Sequence, residues 1–271
     1  MQNSMLRTAL FVPGNRPERF AKALAAGADA VIVDFEDAVQ EADKATARDN
    51  LAYFLAEHPH ARVWVRVNCA DHPLQVAELA LCASLPGIVG ILLPKAESAE
   101  QVRRAAETGK AVMPIIESAL GLAALPAIAK APGVGRLTYG GLDLSLDLGL
   151  HSASPGAERM LDQARFALLL QSRLAGLPAP LETVFAKLDE HEALTTFIGD
   201  AQAMGFAGML CIHPAQVAVV HRALQPTARQ LDWARRVLDG AQGNGAFQVD
   251  GQMVDAPVLQ RARNLLAASA R

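Results

Sequence analysis

The segment AVMPIIESALGL, residues 111–122, reads as a buried β-strand that passes into a helical stretch across an acidic residue. Val112 to Ile116 are compact and apolar, the composition of a strand covered on both faces. The strand stops on Glu117. An ionised carboxylate at the edge of an apolar core costs several kcal/mol unless a cation or hydrogen bonds compensate it. The segment therefore poses the question of fold and the question of what stands opposite Glu117.

The same unit recurs along the chain. Short apolar runs fall at 10–12 (LFV), 30–35 (AVIVDF), 63–67 (VWVRV), 89–94 (VGILLP), 112–116 (VMPII), 136–141 (RLTYGG), 181–185 (LETVF) and 208–212 (GMLCI). Between them lie Ala-rich stretches of helical period, at 17–27, 44–58, 74–85, 98–109, 122–133, 156–176 and 191–205. Gly27, Gly109, Gly176 and Gly205 close four of these, as a left-handed C-terminal cap requires. Strand-like runs alternating with helices imply a parallel α/β sheet, and eight of them imply a closed (β/α)8 TIM barrel. A doubly wound open sheet is the rival, but no GxGxxG follows the first run. After residue 213 the pattern changes to helices at 214–224 and 227–241, a Gly-rich turn GNGAFQVDGQ and a last helix at 256–268. The expected division is a barrel over 1–213 and a C-terminal helical appendage over 214–271. The appendage is too small for a core of its own and is expected to pack on the barrel or on a neighbouring subunit.

Composition fits this reading. Half of the 271 residues are hydrophobic (51%), enough for a sizeable core. A net charge of -3, without basic or acidic blocks, argues against nucleic acid or an anionic membrane as partner. No apolar run approaches the ~20 residues needed to cross a bilayer, and the N-terminus lacks the order of a signal peptide. Cys69, Cys82 and Cys211 are odd in number and widely spaced, which implies reduced thiols and a cytoplasmic location.

Active sites of such barrels sit at the C-terminal ends of the strands. Polar residues crowd those positions: PGNR after the first run, Asp34, Glu36 and Asp37 after the second, Arg66 and Asn68 after the third. Lys95 follows the fourth, Glu117 and Ser118 the fifth, Asp143 the sixth and His213 the eighth. Adjacent strands are about 5 Å apart, so Glu117 and Asp143 can converge. Two converging carboxylates repel unless they share a proton or bind a cation, and oxygen donors with room for water and substrate suit Mg²⁺. Glu117 could instead cap the following helix or pair with Arg66. Arg66 shares a strand face with Trp64 and Asn68. If Val63, Val65 and Val67 meet the helices, its guanidinium points into the barrel, where its fork fits a substrate carboxylate. An ion pair with Glu36 or Asp37 is the alternative.

PGNRPERFAKA places a turn before a helix opening at Pro17, with Arg16, Arg19 and Lys22 close by. Such a helix start favours an anion such as phosphate, though an ordinary capped turn has the same sequence. His58 and His60 read as solvated, His213 as structural, and Cys69 and Cys211 lack a base partner for a nucleophile. Lys95 reads as pairing with carboxylates or substrate rather than forming a Schiff base.

LRTALFVPGNRPERFAKAL, DAVIVDFEDAV with Lys44 and Arg48 following, VRVN, LPKAES, PIIESALGL, GGLDLSLDLG, GFAGMLCIHPAQV and GQMVDAPVLQRA run through nearly the whole chain. In this order they resemble the citrate lyase beta-subunit group of the HpcH/HpaI aldolase superfamily, which includes malyl-CoA and citramalyl-CoA lyases. The resemblance implies a barrel assembled as a homotrimer or hexamer. It implies that Glu117 and Asp143 ligate Mg²⁺, with Glu36 and Asp37 holding metal-bound waters. Arg66 would hold the substrate carboxylate or carbonyl, with Glu117 also touching substrate. Arg16 and Lys22 would lie near the phosphates of coenzyme A or of a carrier-protein thioester. The MVDAP motif implies that Asp255 is the acid–base residue, delivered by a neighbouring subunit; from its spacing alone, Asp255 reads as a helix N-cap before Pro257.

The implied activity is Mg²⁺-dependent carbon–carbon cleavage, or formation, of a 3-hydroxy-acyl thioester, giving an acetyl thioester and an oxo acid. A free-standing acyl-CoA lyase and the lyase subunit of a multi-protein citrate lyase share these residues. A non-catalytic acyl-CoA or carboxylate binder is the third reading, against which the full set Arg66, Glu117, Asp143 and Asp255 speaks.

Overall fold

A computed structural model describes residues 6–151, 154–241 and 247–269. Eight parallel strands close in chain order: β1 (Thr8–Pro13), β2 (Ala30–Asp34), β3 (Val63–Arg66), β4 (Ile88–Leu93), β5 (Ala111–Ile116), β6 (Thr138–Tyr139), β7 (Leu181–Glu182) and β8 (Gly208–Cys211). The last pairs with the first, which excludes the open sheet. Returning helices are α1 (Phe20–Leu24), α2 (Lys44–Glu57), α3 (Gln75–Ser84), α4 (Ala99–Ala106), α5 (Ala119–Ala129), α6 (Gly141–Asp147), α7 (Pro155–Leu174) and α8 (His191–Ala203), and α9 (Pro214–Ala223) follows β8. Each apolar run identified in the sequence supplies one stave of the barrel.

Local chemistry sets the helix ends. Ser98 and Gln101 form a reciprocal capping box on α4, and the Ser118 and Ser154 side chains cap α5 and α7. Gly27, Gly109, Gly176 and Gly205 take φ of 77°, 74°, 69° and 98°, the left-handed conformation expected of them.

Three elements of the barrel depart from the sequence reading. β6 and β7 keep only two residues each, because side chains replace the ladder beyond them. Thr183 Oγ1 accepts from Gly141 N, and Gln216 Nε2 donates to the Phe185 carbonyl. The GGLD segment, read as a strand end, opens the short helix α6 instead, so Asp143 sits in a first helical turn.

The barrel interior is one cluster: Ala9, Ile32, Trp64, Leu92, Met113, Ile115, Leu181 and Leu210, joined by Leu6 below and by half-buried Phe11. Trp64 thus points inward and the valines beside it outward, as the alternation requires. Trp64 lies in register with Gly90 on the next strand, and its indole covers the position a Gly90 Cβ would take.

The chain divides into two compact units, Met1–His221 and Arg222–Arg271. The second contains α10 (Ala228–Gly240), an antiparallel hairpin of β9 (Phe247–Val249) and β10 (Gln252–Val254), and α11 (Ala256–Ser269). The expectation that it lacks a core is corrected: Ala234, Val237, Val254 and Ala262 are buried together, with Trp233, Phe247, Leu259 and Leu265 packed on them. Much of the segment read as a Gly-rich turn is this hairpin, while 243–246 lie outside the described residues. No helix among the described residues is long and apolar enough to cross a membrane.

Gly90→Ala drives a methyl group into the Trp64 indole. The expected loss is about 1–3 kcal/mol of unfolding free energy, read by urea denaturation. A loss below about 0.5 kcal/mol would show that the indole is free to move aside.

Candidate active site

Asp34 and Arg66 are the last residues of β2 and β3 and lie in register across the sheet. The guanidinium therefore meets the carboxylate side on: Arg66 Nε donates to Asp34 Oδ1 at 2.7 Å and Nη2 to Oδ2 at 2.5 Å. Asp34 is buried at 1% exposure and also accepts from the backbone N–H groups of Glu36 (2.9 Å) and Ala38 (3.3 Å). It thereby folds the Phe35–Ala38 loop back over the barrel mouth. The Phe11 ring of β1 carries the guanidinium at 4.9 Å. Arg66 Nη1 remains, 2.9 Å from Glu36 Oε2 without the alignment of a hydrogen bond and 3.4 Å from Asp37 Oδ2. The sequence reading offered Glu36 or Asp37 as partners; it did not see that Asp34 takes the fork.

Behind this pair lies a buried polar lattice. Lys44 Nζ donates to the Phe35 carbonyl (2.9 Å), the Glu36 carbonyl (3.1 Å) and Asn68 Oδ1 (2.6 Å). Glu78 accepts from both the backbone and the side chain of Asn68, at 2.7 and 2.5 Å. The lattice ties the loop after β2 to the end of β3.

Glu117 follows β5 and is 6% exposed. Ser118, not Glu117, caps α5, and no ion pair with Arg66 is present among the described residues. Its Oε1 accepts from Lys95 N at 2.7 Å. Its other oxygen lies directly over Gly140, where a Cβ would collide with it. The glycine thus leaves room for a carboxylate beside Asp143, which is half-buried in the first turn of α6.

This crowding has electrostatic consequences. Burial pushes the Glu36 carboxyl up to about 8; Arg66 opposes the shift, and Asp37, Glu117 and Asp34 add to it. Burial likewise pushes Glu117 up to about 7, against the Lys95 N–H bond and with the help of Asp143. Burial works against the charge of Arg66, but Asp34, Glu36 and Asp37 overcome it and hold its pKa above the ordinary value.

The donor set can be tested against a metal ion. Among the described residues no three His, Cys, Asp or Glu side chains form a cage. Two converging carboxylates, one desolvated and aimed across a glycine, match an ion that takes one or two protein oxygens and keeps other positions for water and substrate. Glu117 and Asp143 fit Mg²⁺.

The family model described as HpcH/HpaI aldolase/citrate lyase matches residues 7–214. The chain belongs to this family. A citrate lyase subunit beta-like protein of Deinococcus radiodurans is 36% identical, over 97% of each chain. One from Mycobacterium tuberculosis is 40% identical, over 95% of this chain and 93% of its own. Among solved structures, CitE from Mycobacterium tuberculosis in complex with magnesium, acetoacetate and coenzyme A superposes with a TM-score of 0.89 at 36% identity. That match covers 99% of this chain and 100% of the other.

The other residues singled out in this family member are placed as follows. Arg16 and Lys22 are exposed near the end of β1, where the first turn is a 3₁₀ segment, Pro17–Arg19, followed by the five-residue α1. Asn15 donates to Asp43 (3.0 Å) and does not cap that turn. Cys69 is pushed up to about 11 by burial and by Asp71, and Cys211 to about 12 by burial, so neither is a ready nucleophile. His213 is exposed, its Nδ1 accepting from Ala215 N (3.2 Å). Asp255 is exposed between β10 and α11, where its Oδ1 accepts from Val258 N (3.3 Å) as an N-cap. It belongs to the second unit, the remaining candidates to the first.

A pH dependence follows from the two raised carboxyls. Between about pH 4.5 and 8 the unfolded chain has released protons that folded Glu36 and Glu117 retain, so the metal-free protein loses stability as pH rises through that window. In chelator, the melting temperature is expected to fall from pH 5.5 to 8, and Glu36→Gln to flatten that fall. An identical slope in wild type and variant would show that Glu36 titrates normally.

Proposed function

We propose that the protein is a Mg²⁺-dependent carbon–carbon lyase acting on a 3-hydroxy-acyl thioester, with coenzyme A as the thiol carrier. The observation that carries this reading is the Glu117 carboxylate laid over Gly140 beside Asp143, two staves round the barrel from the Arg66 fork. The kinship to citrate lyase beta-like proteins supports the reaction class, and the magnesium and coenzyme A bound by the superposed CitE support the ion and the carrier.

Glu117 and Asp143 would hold Mg²⁺, which would supply Lewis-acid polarisation of the substrate carbonyl. Glu36 and Asp37 orient water at the same rim. Arg66, immobilised by Asp34, presents its Nη1 edge to a substrate carboxylate or carbonyl oxygen that gains negative charge as the reaction proceeds. In the synthetic direction Asp255 removes a proton from the acetyl carbon, and the enolate carbon attacks the oxo-acid carbonyl. In cleavage the 3-hydroxyl gives its proton to water at the rim and becomes the oxo-acid carbonyl as the C–C bond breaks, the electron pair of that bond passes to the thioester enolate, and Asp255 returns a proton to carbon; in synthesis the new alkoxide takes its proton from the same water. Such a transfer contributes about 10²–10⁴-fold, so positioning and charge stabilisation must supply the rest. Arg16 and Lys22, exposed at the β1 end, serve the phosphates of the thiol carrier. Asp255 comes from the appendage of a second copy, within a cytoplasmic homotrimer or hexamer.

A screen of malyl-, citramalyl-, citryl- and 3-hydroxy-3-methylglutaryl-CoA, with and without Mg²⁺, tests the reading; turnover of at least one, lost in chelator, is expected. Turnover only of a carrier-protein thioester would identify a citrate lyase subunit instead.

Asp143→Ala is expected to abolish Mg²⁺-dependent turnover with the circular dichroism spectrum unchanged; retained turnover removes Asp143 from the mechanism. Asp255→Asn is expected to keep Mg²⁺ binding and lose proton exchange at the acetyl carbon. Co-refolding Asp143→Ala with Asp255→Asn chains should restore part of the activity, because mixed oligomers contain one intact composite site. No restoration would place Asp255 in the same chain as the metal ligands it serves.

A further inference from the structure

Lys95 is placed at the barrel mouth by an unusual backbone. It follows β4 with φ of 44°, one of two non-glycine residues with positive φ among those described. That conformation is disfavoured for a residue with a Cβ and persists where its surroundings enforce it. Here the enforcement is visible on both sides. Lys95 N donates to Glu117 Oε1 at 2.7 Å, and the next N–H, of Ala96, donates to the Ile115 carbonyl at 3.2 Å. The Ala96 carbonyl then packs against Gly121 of α5, at a point where a Cβ would come within 2.6 Å of it. The Lys95 Cα is therefore fixed to the strand that carries Glu117.

The Lys95 side chain is exposed, and its charge is felt by Glu36, Cys69, Asp37 and Glu117, and by Asp71. Yet among the described residues its ammonium makes no ion pair and no hydrogen bond. Arg66 is its opposite: its fork is closed by Asp34 and its remaining edge faces Glu36 and Asp37. A substrate carboxylate cannot displace Asp34, which is 1% exposed and held by two backbone N–H groups as well. An oxo acid brings both a carbonyl oxygen and a carboxylate to this rim, and a rim already rich in carboxylates repels the second unless a free cation receives it.

We propose that Lys95 receives the carboxylate of the oxo-acid half of the substrate and so determines that the acceptor is an acid rather than a neutral ketone or aldehyde. Arg66 then serves the carbonyl oxygen. This assignment rests on the lyase reading above. The strained backbone and the free ammonium have separate duties: the N–H orients Glu117, and the side chain reads the substrate's charge.

Lys95→Gly separates them, because glycine adopts positive φ without strain and keeps the N–H, while the side chain and its ammonium are lost. The probes are pyruvate and its uncharged methyl ester, titrated calorimetrically into wild type and variant with saturating Mg²⁺, together with Mg²⁺ alone. Pyruvate affinity is expected to fall about 10–100-fold, the range for losing a hydrogen bond to a charged group. Affinities for methyl pyruvate and for Mg²⁺ should stay within about twofold of wild type, and the melting temperature should not fall. Lys95→Arg should recover part of the pyruvate affinity. Unchanged pyruvate affinity in Lys95→Gly overturns the proposal, as does a parallel loss for methyl pyruvate or Mg²⁺, which would make Lys95 a support of Glu117 only. Wild-type protein that binds pyruvate no better with Mg²⁺ than without it overturns the lyase reading itself, an outcome seen before any variant is made.

Discussion

The contact between Asp34 and Arg66 organises this molecule more than any other. Two opposite charges end adjacent staves at the same height, one of them fully desolvated. Burial of a charge is tolerable only when the partner geometry is good and the remaining lone pairs are filled. Both conditions hold, since the fork meets the carboxylate side on and two backbone N–H groups fill the rest. Removing either partner would strand the other. The pair therefore fixes the register of β2 on β3 and makes the loop after β2 part of the barrel rather than a free excursion.

From that anchor the rest of the rim follows. Lys44 closes the loop from behind through the Phe35 and Glu36 carbonyls, and Asn68 and Glu78 extend the lattice under β3. Two staves round the mouth, Glu117 accepts an N–H from Lys95 and lies over a glycine. Its pKa is raised first by burial and then by a rim where Asp34, Glu36, Asp37, Glu117 and Asp143 outnumber Arg66 and Lys95. A divalent ion relieves that imbalance without filling the pocket, and substrate anions then find a cation held apart for them. The barrel interior, filled by Trp64 and its neighbours, contributes by being closed beneath the site, so that the polar groups face only the mouth.

The barrel was legible in the sequence because each stave is a compact apolar run and each helix has its own stop, as at Gly27 or Gly205. The polar residues at the carboxyl ends of the runs were legible for the same reason, since the fold rule assigns them to one rim. Other features were not. α6 was hidden because GGLD carries no helix signal before its first turn, and β6 and β7 were read too long because Thr183 and Gln216 end the ladder through side chains distant in sequence. The small core of the second unit was not legible because its two helices and hairpin meet only in the folded chain.

The sequence by itself determined the order of the eight barrel strands, most of their returning helices and the family, because these depend on local periodicity and on motifs that survive without knowledge of contacts. The tertiary structure decided how the charges are shared: that Arg66 is spent on Asp34, that Ser118 rather than Glu117 caps a helix, and that Lys95 is left with a free ammonium. Residue types show which charges are present. Which of them neutralise one another depends on distances of 2.5 to 3.4 Å between strand ends far apart in sequence, and only the closed barrel sets those distances.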